Sequence, residues 1–304
     1  MLTQNRTIAA LLKEGAEQLS SSEVDQPYHE ARLLLSHVLE EPLTHLIAFP
    51  EKRVAPHICE HFQGLLMRRL RGEPLAKIFQ RKAFWKSDFI TTQDTLDPRP
   101  ETEHIIEAVL AAYPQKDMPH HILELGVGTG CLLLSLLQEY PLATGIGVDL
   151  SPHALAIAQV NGEQLHLSHR THWIQGHWAA SLKGGFSLIV SNPPYIPTGQ
   201  LPHLAATVRD FDPLVALDGG ADGLDAYRNL ARQIQVQNLL LPDGFLGLEV
   251  GAGQSQEVRS IVEAQGFTFY ECHKDLAGIE RTLVFRSIHK TSKKHIPFGF
   301  QKAW

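Results

Sequence analysis

The sequence predicts an α/β protein: a doubly wound, Rossmann-like, mainly parallel seven-stranded sheet, with a small N-terminal helical bundle and a β-hairpin linker ahead of it. Three observations predict it. From His120 onward, short apolar runs alternate with helical stretches, the pattern of parallel strands joined by crossover helices. The first of those runs leads into the glycine-rich turn "ELGVGTG", and the second closes on Asp149, as strand ends do where a sheet binds a ligand. Before about Gly72, by contrast, apolar residues recur only at helical spacing.

The elements follow in order. Ile8, Leu11, Leu12 and Leu19 mark one helix, Leu33 to Leu35, Val38 and Leu39 a second, and Ile58, Phe62, Leu65, Leu66 and Leu70 a third. In "FWKSDFITTQD" the aromatic and β-branched content rises, which suggests a hairpin. "DPRPETE" reads as a helix start, with Pro100 near the first turn and Glu101 and Glu103 at the positive end of the dipole. The strand candidates are "HILEL", "TGIGVDL", "THWIQG", "FSLIVSN", "GFLGLEVG", "FTFYEC" and "RTLVFRS". The last two are joined by a stretch too short for a helical crossover, so they should pair antiparallel. The expected division is a helical substrate-docking domain over residues 1–88, with the hairpin beginning near its end, a catalytic domain over 89–290, and a basic tail over 291–304.

Composition narrows the function. A chain of 304 residues that is 43% hydrophobic can bury a sizeable core. Three cysteines, Cys59, Cys131 and Cys272, form neither a disulfide framework nor a Cys-based zinc site, which points to a reducing compartment. No apolar stretch reaches the roughly 20 residues of a membrane span, and the N-terminus reads as a charged amphipathic helix rather than a secretory signal. A cytoplasmic protein that does not contact membranes is expected. The net charge of −6 argues against stable binding of nucleic acid. The charge is uneven: Lys52, Arg53, Arg68, Arg69, Arg71, Lys77, Arg81, Lys82 and Lys86 face only Glu60 and Glu73 in their segment. That stretch is either a solvated helix face or a docking face for an acidic partner, and the tail "HKTSKKH" could extend it.

The turn after "HILEL" places Gly126, Val127, Gly128, Thr129 and Gly130 between strand and helix, with Glu124 before them. Glycines let backbone amides approach a ligand closely. The dinucleotide fingerprint requires glycine at position 131, where this chain has Cys131, so a diphosphate binder is disfavoured and an amino-acid-bearing ligand favoured. Asp149 is placed to accept both hydroxyls of a ribose, or else simply to start the helix that Ser151 and Pro152 cap. Trp178 could pack against an adenine or sit in the core. Together these read as a site for S-adenosylmethionine.

"SNPPYIP" closes the fourth strand of the sheet. Prolines donate no hydrogen bond and stop strand pairing, so the stretch is a rigid turn or a site with fixed carbonyls. An amide or aromatic amine nitrogen is a poor nucleophile because its lone pair is delocalised. If the Asn192 side-chain oxygen and the Pro193 carbonyl each accept one N–H of a planar NH₂ group, with Tyr195 stacked on it, the nitrogen is held for in-line methylation without a metal or a strong base.

The ordered set "DPRPETE", "ELGVGTG", "NPPY", "DFDPLVALDGGADGLDAYR" and "KDLAGIER" resembles the release-factor glutamine methyltransferases (HemK/PrmC), from about Arg68 to Arg281. The resemblance implies a class I S-adenosylmethionine-dependent methyltransferase that methylates the side-chain amide (N5) of the glutamine in the Gly-Gly-Gln motif of class I peptide chain release factors, in support of translation termination. It implies Asn192, Pro193, Pro194 and Tyr195 as the catalytic turn. It also implies Glu124, Gly126 to Gly130, Asp149, Trp178 and Asn192 as contacts of S-adenosylmethionine and its product S-adenosylhomocysteine. The family usually has Gly at Gln80, often Ile-Pro at Leu96-Asp97, and an acidic residue at His177.

Other chemistries fit less well. An adenine-N6 methyltransferase of DNA or RNA would use the same turn but calls for a basic groove. A glutamine methyltransferase of a ribosomal protein shares the chemistry, while a non-catalytic cofactor binder has no use for Asn-Pro-Pro-Tyr. The histidines His166, His169, His172 and His177 have neither a nearby Cys nor HExxH, so no metal site is expected. The "GxSxG" of serine hydrolases is missing.

Overall fold

The computed structural model describes residues 6–22, 24–180 and 182–287. The predicted tail 291–304 lies outside the described residues, as does residue Lys290 at the end of the predicted catalytic domain. Five helices come first: α1 (Ile8–Leu19), α2 (Pro27–Leu39), α3 (Leu43–Ala48), α4 (Pro56–Leu70) and α5 (Leu75–Phe79). They bury a core of their own built on Ile8, Leu34, Phe62 and Leu66. The Thr7 side chain caps α1 by accepting the Ala10 N–H.

The hairpin β1 (Arg81–Phe84) and β2 (Ser87–Ile90) follows. Phe84 and Phe89 meet edge to face at 6.1 Å and pack with Ile105 and Leu133, which belong to the catalytic core. Side-chain packing therefore changes partner between Ile78 and Phe84, whereas a boundary at residue 88 passes through β2.

The main sheet contains all seven predicted strands: β3 (His121–Leu125), β4 (Thr144–Asp149), β5 (Thr171–Gln175), β6 (Phe186–Ser191), β7 (Leu240–Glu249), β8 (Phe267–Lys274) and β9 (Glu280–Ser287). Their order is β5-β4-β3-β6-β7-β9-β8. Every pairing is parallel except those of β9, which runs antiparallel to both β7 and β8, as the short link between β8 and β9 requires. The direction of winding reverses between β3 and β6, so the turns after those two strands open into the crevice where doubly wound sheets bind ligands. Helices α6 (Glu103–Ala112), α7 (Cys131–Glu139), α8 (Pro152–Gln164), α10 (Asp225–Val236) and α11 (Ser255–Ala264) cover the faces, and the single-turn α9 (Ala206–Arg209) lies in the segment between β6 and α10.

Five of the nine basic residues between Lys52 and Lys86 have partners within the chain, Lys52 through a 3.1 Å contact with His45 Nε2. Arg68 pairs with Glu73, Arg69 with Glu30, Lys86 with Glu139, and Lys77 is buried among oxygens. Arg69 and Glu30 are only 13% and 17% exposed and join α4 to α2. Arg69 thus cross-links the bundle and Arg68 pairs locally at the end of α4, while Arg53, Arg71 and Arg81 remain exposed.

Candidate active site

Two cavities, of about 380 and 420 Å³, meet at Asn192. Both fall within the range of small-ligand sites.

The first lies over the ends of β3 and β4. Glu124, Gly126, Val127, Gly128, Thr129, Asp149, Trp178, Asn192 and Pro194 line it. Gly128 has φ +55° and nothing within 4 Å of where a Cβ would stand, so the turn is open to a ligand there. Gly130 does not line the cavity. A Cβ on it would come within 3.1 to 3.3 Å of Ala158, Leu134 and Trp173, and it serves close packing behind the turn. Asn161 locks this arrangement from α8, donating to the carbonyls of Thr129 and Ile90 and accepting the Ile90 N–H.

Of the carboxylates that line the cavity, Glu124 and Asp149 stand at strand ends and face it in different ways. Glu124 is buried and accepts the Leu133 N–H at 3.0 Å. Burial drives its pKa well above the usual carboxylate range, and the nearby Asp149 adds to the shift. Asp149 accepts the Gly128 N–H at 2.8 Å through Oδ2 and the Ser151 N–H at 2.9 Å through Oδ1. Its pKa is raised by burial against the lowering effect of those bonds. Asp149 therefore fastens the turn and the start of α8, as one of the two expected readings has it, while also lining the cavity. The sequence reading missed Leu150, which is 51% exposed and lines the cavity beside Asp149. Trp178 lines it too, in a left-handed backbone conformation with φ +55°.

Asn192, Pro193 and Tyr195 line the second cavity, together with Arg99, Glu101, Glu249 and Arg281. The Asn192 Nδ2 donates to Thr102 Oγ1 at 2.9 Å, and Thr102 donates to Glu249 Oε2 at 2.5 Å. Among the described residues, no donor reaches the Asn192 Oδ1 or the Pro193 carbonyl. The Tyr195 carbonyl accepts from Gln254 at 2.9 Å, which fixes the exit of the turn. Burial, reinforced by Glu249, pushes the Tyr195 phenol up to about 12 and keeps it neutral. Thr102 and Glu249 were also missed. A glutamate inside the apolar run "GFLGLEV" was the available signal, since a charge there must have a reason to be buried.

The rims of the first cavity are tied to the helical bundle by Lys77. Its ammonium, 4% exposed, donates to the Thr92 and Thr95 carbonyls at 2.8 and 2.6 Å and lies 2.9 Å from Asp97 and 3.2 Å from Asp212. Arg99 adds a 2.6 Å contact to Asp212. Among the described residues no group of three His, Cys, Asp or Glu converges as metal ligands, and no helix is long and apolar enough to cross a membrane.

A parallel sheet with its glycine turn, its acidic strand end and an Asn-Pro-Pro-Tyr turn at the winding reversal defines a class I methyltransferase. Comparison with known proteins agrees. The chain matches the PrmC N-terminal domain over residues 10–79 and the methyltransferase small domain over residues 105–208. It is 42% identical to a release factor glutamine methyltransferase of Rhodospirillum rubrum over 92% of this chain and 85% of the relative. It is 40% identical to one of Caulobacter vibrioides over 91% and 96%. The hMettl16 catalytic domain, solved with an RNA hairpin, shares the fold at TM-score 0.54 and 14% identity, over 67% of this chain and 77% of that one. The chain belongs to the release factor glutamine methyltransferase family, whose members are protein-(glutamine-N5) methyltransferases that use S-adenosylmethionine.

Proposed function

We propose that the chain methylates the side-chain amide nitrogen of the glutamine in the Gly-Gly-Gln motif of class I peptide chain release factors. One observation carries the reading: among the described residues, no donor reaches Oδ1 of Asn192, which lines both cavities, or the carbonyl of Pro193, which lines the second, and two free acceptors are the number that one –NH₂ group needs.

The first cavity suits S-adenosylmethionine. Its carboxylates complement an ammonium and ribose hydroxyls, its glycine turn leaves room beside Gly128, and Leu150 and Trp178 offer apolar surface to a base. When bound, this cofactor supplies an electrophilic methyl group and leaves as S-adenosylhomocysteine. Glu124, Gly126 to Thr129, Asp149, Trp178 and Asn192 would hold it, with Gly130 supporting the turn from behind.

The chain's own part is orientation. Asn192 and Pro193 hold the amide so that its nitrogen lone pair points at the first cavity, Pro194 stiffens the turn, and Tyr195 covers the flat face of the amide. As the N–C bond forms, positive charge grows on nitrogen, and two fixed carbonyl dipoles stabilise it without moving. The extra proton on nitrogen then leaves to water, so no strong general base is required. The helical unit, residues 1–88, holds the protein substrate away from the amide, and neither a metal nor a nucleic acid takes part.

The test uses the enzyme, isotope-labelled cofactor and an intact release factor. Label should enter the wild-type release factor and not its Gly-Gly-Gln Gln→Ala variant. Equal labelling of both would remove the glutamine as acceptor.

A further inference from the structure

Holding an amide by two acceptors works only if Asn192 presents oxygen and not nitrogen, and the two ends of a carboxamide have nearly the same shape. Something must choose. We infer that Thr102 and Glu249 are positioning residues that set which end of Asn192 faces the substrate, an inference that rests on the amide-holding role given above.

The choice follows from counting hydrogens. A threonine hydroxyl has one hydrogen and two lone pairs. Thr102 gives its hydrogen to Glu249 Oε2 at 2.5 Å, so it can only accept from Asn192. Asn192 therefore turns Nδ2 toward it, at 2.9 Å, and Oδ1 toward the cavities. An ionised carboxylate accepts and never donates, so it dictates this direction, which an amide or hydroxyl in its place would leave open. The fold brings the three together from distant segments. Ser191 pairs with Leu248 in the parallel register of β6 and β7, which sets Asn192 beside Glu249 one residue further on, and the 3₁₀ turn Pro100–Thr102 ahead of α6 inserts Thr102 between them. Thr102 is 4% and Glu249 2% exposed, so water does not scramble the relay.

The price of an acceptor there is a buried charge. Burial, aided by Glu101 and opposed by the Thr102 bond, Arg281 on β9 and Arg99, pushes Glu249 up to about 7. Tyr195 beyond β6 and Cys131 at the start of α7 also feel its charge, while Tyr227 on α10 bonds its backbone carbonyl at 2.9 Å. Once protonated, Glu249 can donate to Thr102, whose freed hydrogen then goes to Asn192 Oδ1. The amide turns over and points its own NH₂ at the substrate's NH₂. Methyl transfer should therefore fall as pH drops through about 7.

Methyl-transfer rates at saturating S-adenosylmethionine, between about pH 6 and pH 8, test this on the whole enzyme with intact release factor. Thr102→Val should lower kcat about tenfold, the scale of one lost orienting hydrogen bond, with KM for release factor and the Kd of S-adenosylhomocysteine unchanged. Thr102→Ser should restore kcat, and Glu249→Gln should abolish the acid limb near pH 7. The inference is overturned if Thr102→Val stays within about twofold of wild type, or if Glu249→Gln keeps the limb. Should Thr102→Val lose S-adenosylhomocysteine binding, Glu249→Gln alone decides. A wild-type enzyme that leaves the release-factor glutamine unlabelled overturns the underlying function instead, a result distinct from any of these.

Discussion

The two cavities that meet at Asn192 are made of different materials. The first is walled in part by the strand–helix turns 124–132 and 148–154, with glycines and the carboxylates Glu124 and Asp149 at strand ends, and in part by segments 94–102 and 213–229. The second is walled by side chains from scattered segments, among them Arg99, Glu101, Leu204, Leu217 and Arg281. The strand–helix turns of the first are short-range in sequence, and turns of this kind hold ligands common to many enzymes. A side-chain-built site is assembled by the whole fold and can be shaped to one partner. Between them stands a single turn whose side chain at Asn192 touches both.

The largest effect should come from removing what ties these regions to the helical bundle. In Lys77→Met, Asp97 and Asp212 lose their common cation while still buried, which costs about 3–5 kcal/mol for a buried pair broken on one side. Chemical denaturation should show that loss. If stability changes by less than about 1 kcal/mol, the pairing is no better than a surface contact and the rims do not depend on it.

Next is Asn192, which both cavities share along with Leu96, Arg99 and Ala216. Asn192→Ala should reduce kcat by about 10²–10³, or roughly 2.7–4 kcal/mol, as for other removed oriented hydrogen bonds. Calorimetry should show the S-adenosylhomocysteine Kd intact. Intact turnover would mean that Asn192 belongs to neither cavity's chemistry.

Confined to the first cavity, Asp149→Ala should weaken S-adenosylhomocysteine binding by about 1.5–3 kcal/mol, the worth of a hydrogen bond to a charged group. Because Asp149 also holds the Gly128 and Ser151 N–H groups, Asp149→Asn should retain part of the affinity. A wild-type Kd for Asp149→Ala would leave the carboxylate as a turn fastener alone.

The same contrast explains what was legible in the sequence. The seven strands, the antiparallel end of the sheet and the glycine turn are encoded in local periodicity and turn residues, and they stand as expected. The Asn-Pro-Pro-Tyr turn was legible because it lies in consecutive residues. Thr102 and Glu249 lie 90 and 57 positions from Asn192; the register of β6 and β7 brings Glu249, and the 3₁₀ turn ahead of α6 brings Thr102. "PETE" read locally as a helix start, which it is, while the inward side of its turn stayed hidden. For a related reason, charge counted along the chain does not show Glu30 arriving from α2 to meet Arg69. Gly130 shows the reverse error, since a glycine in a binding motif can be there for packing.

The smallest effect separates strain that serves a cavity from strain that does not. Gln80 and Trp178 both hold left-handed backbone, with φ +53° and +55°. Such a conformation costs a residue with a Cβ about 1–2 kcal/mol, and glycine almost nothing. Trp178 lines the first cavity, so its ring has a use that offsets the strain. Gln80 closes α5 and passes its carbonyl to the Thr91 N–H at 3.2 Å, and its side chain lines neither cavity. Gln80→Gly should therefore raise stability by about 1 kcal/mol, reduced somewhat by the extra freedom glycine gives the unfolded chain. Cofactor affinity and kcat should stay at wild-type values. Trp178→Gly relieves the same backbone but should weaken S-adenosylhomocysteine binding, because a wall of the cavity goes with it. If Gln80→Gly lowers stability, its side chain holds the junction between bundle and hairpin, and the departure from the glycine usual at this position has a structural reason. If it instead alters cofactor affinity, the first cavity reaches beyond its backbone walls into the α5 cap, and the contrast between the two sites is weaker than their linings indicate.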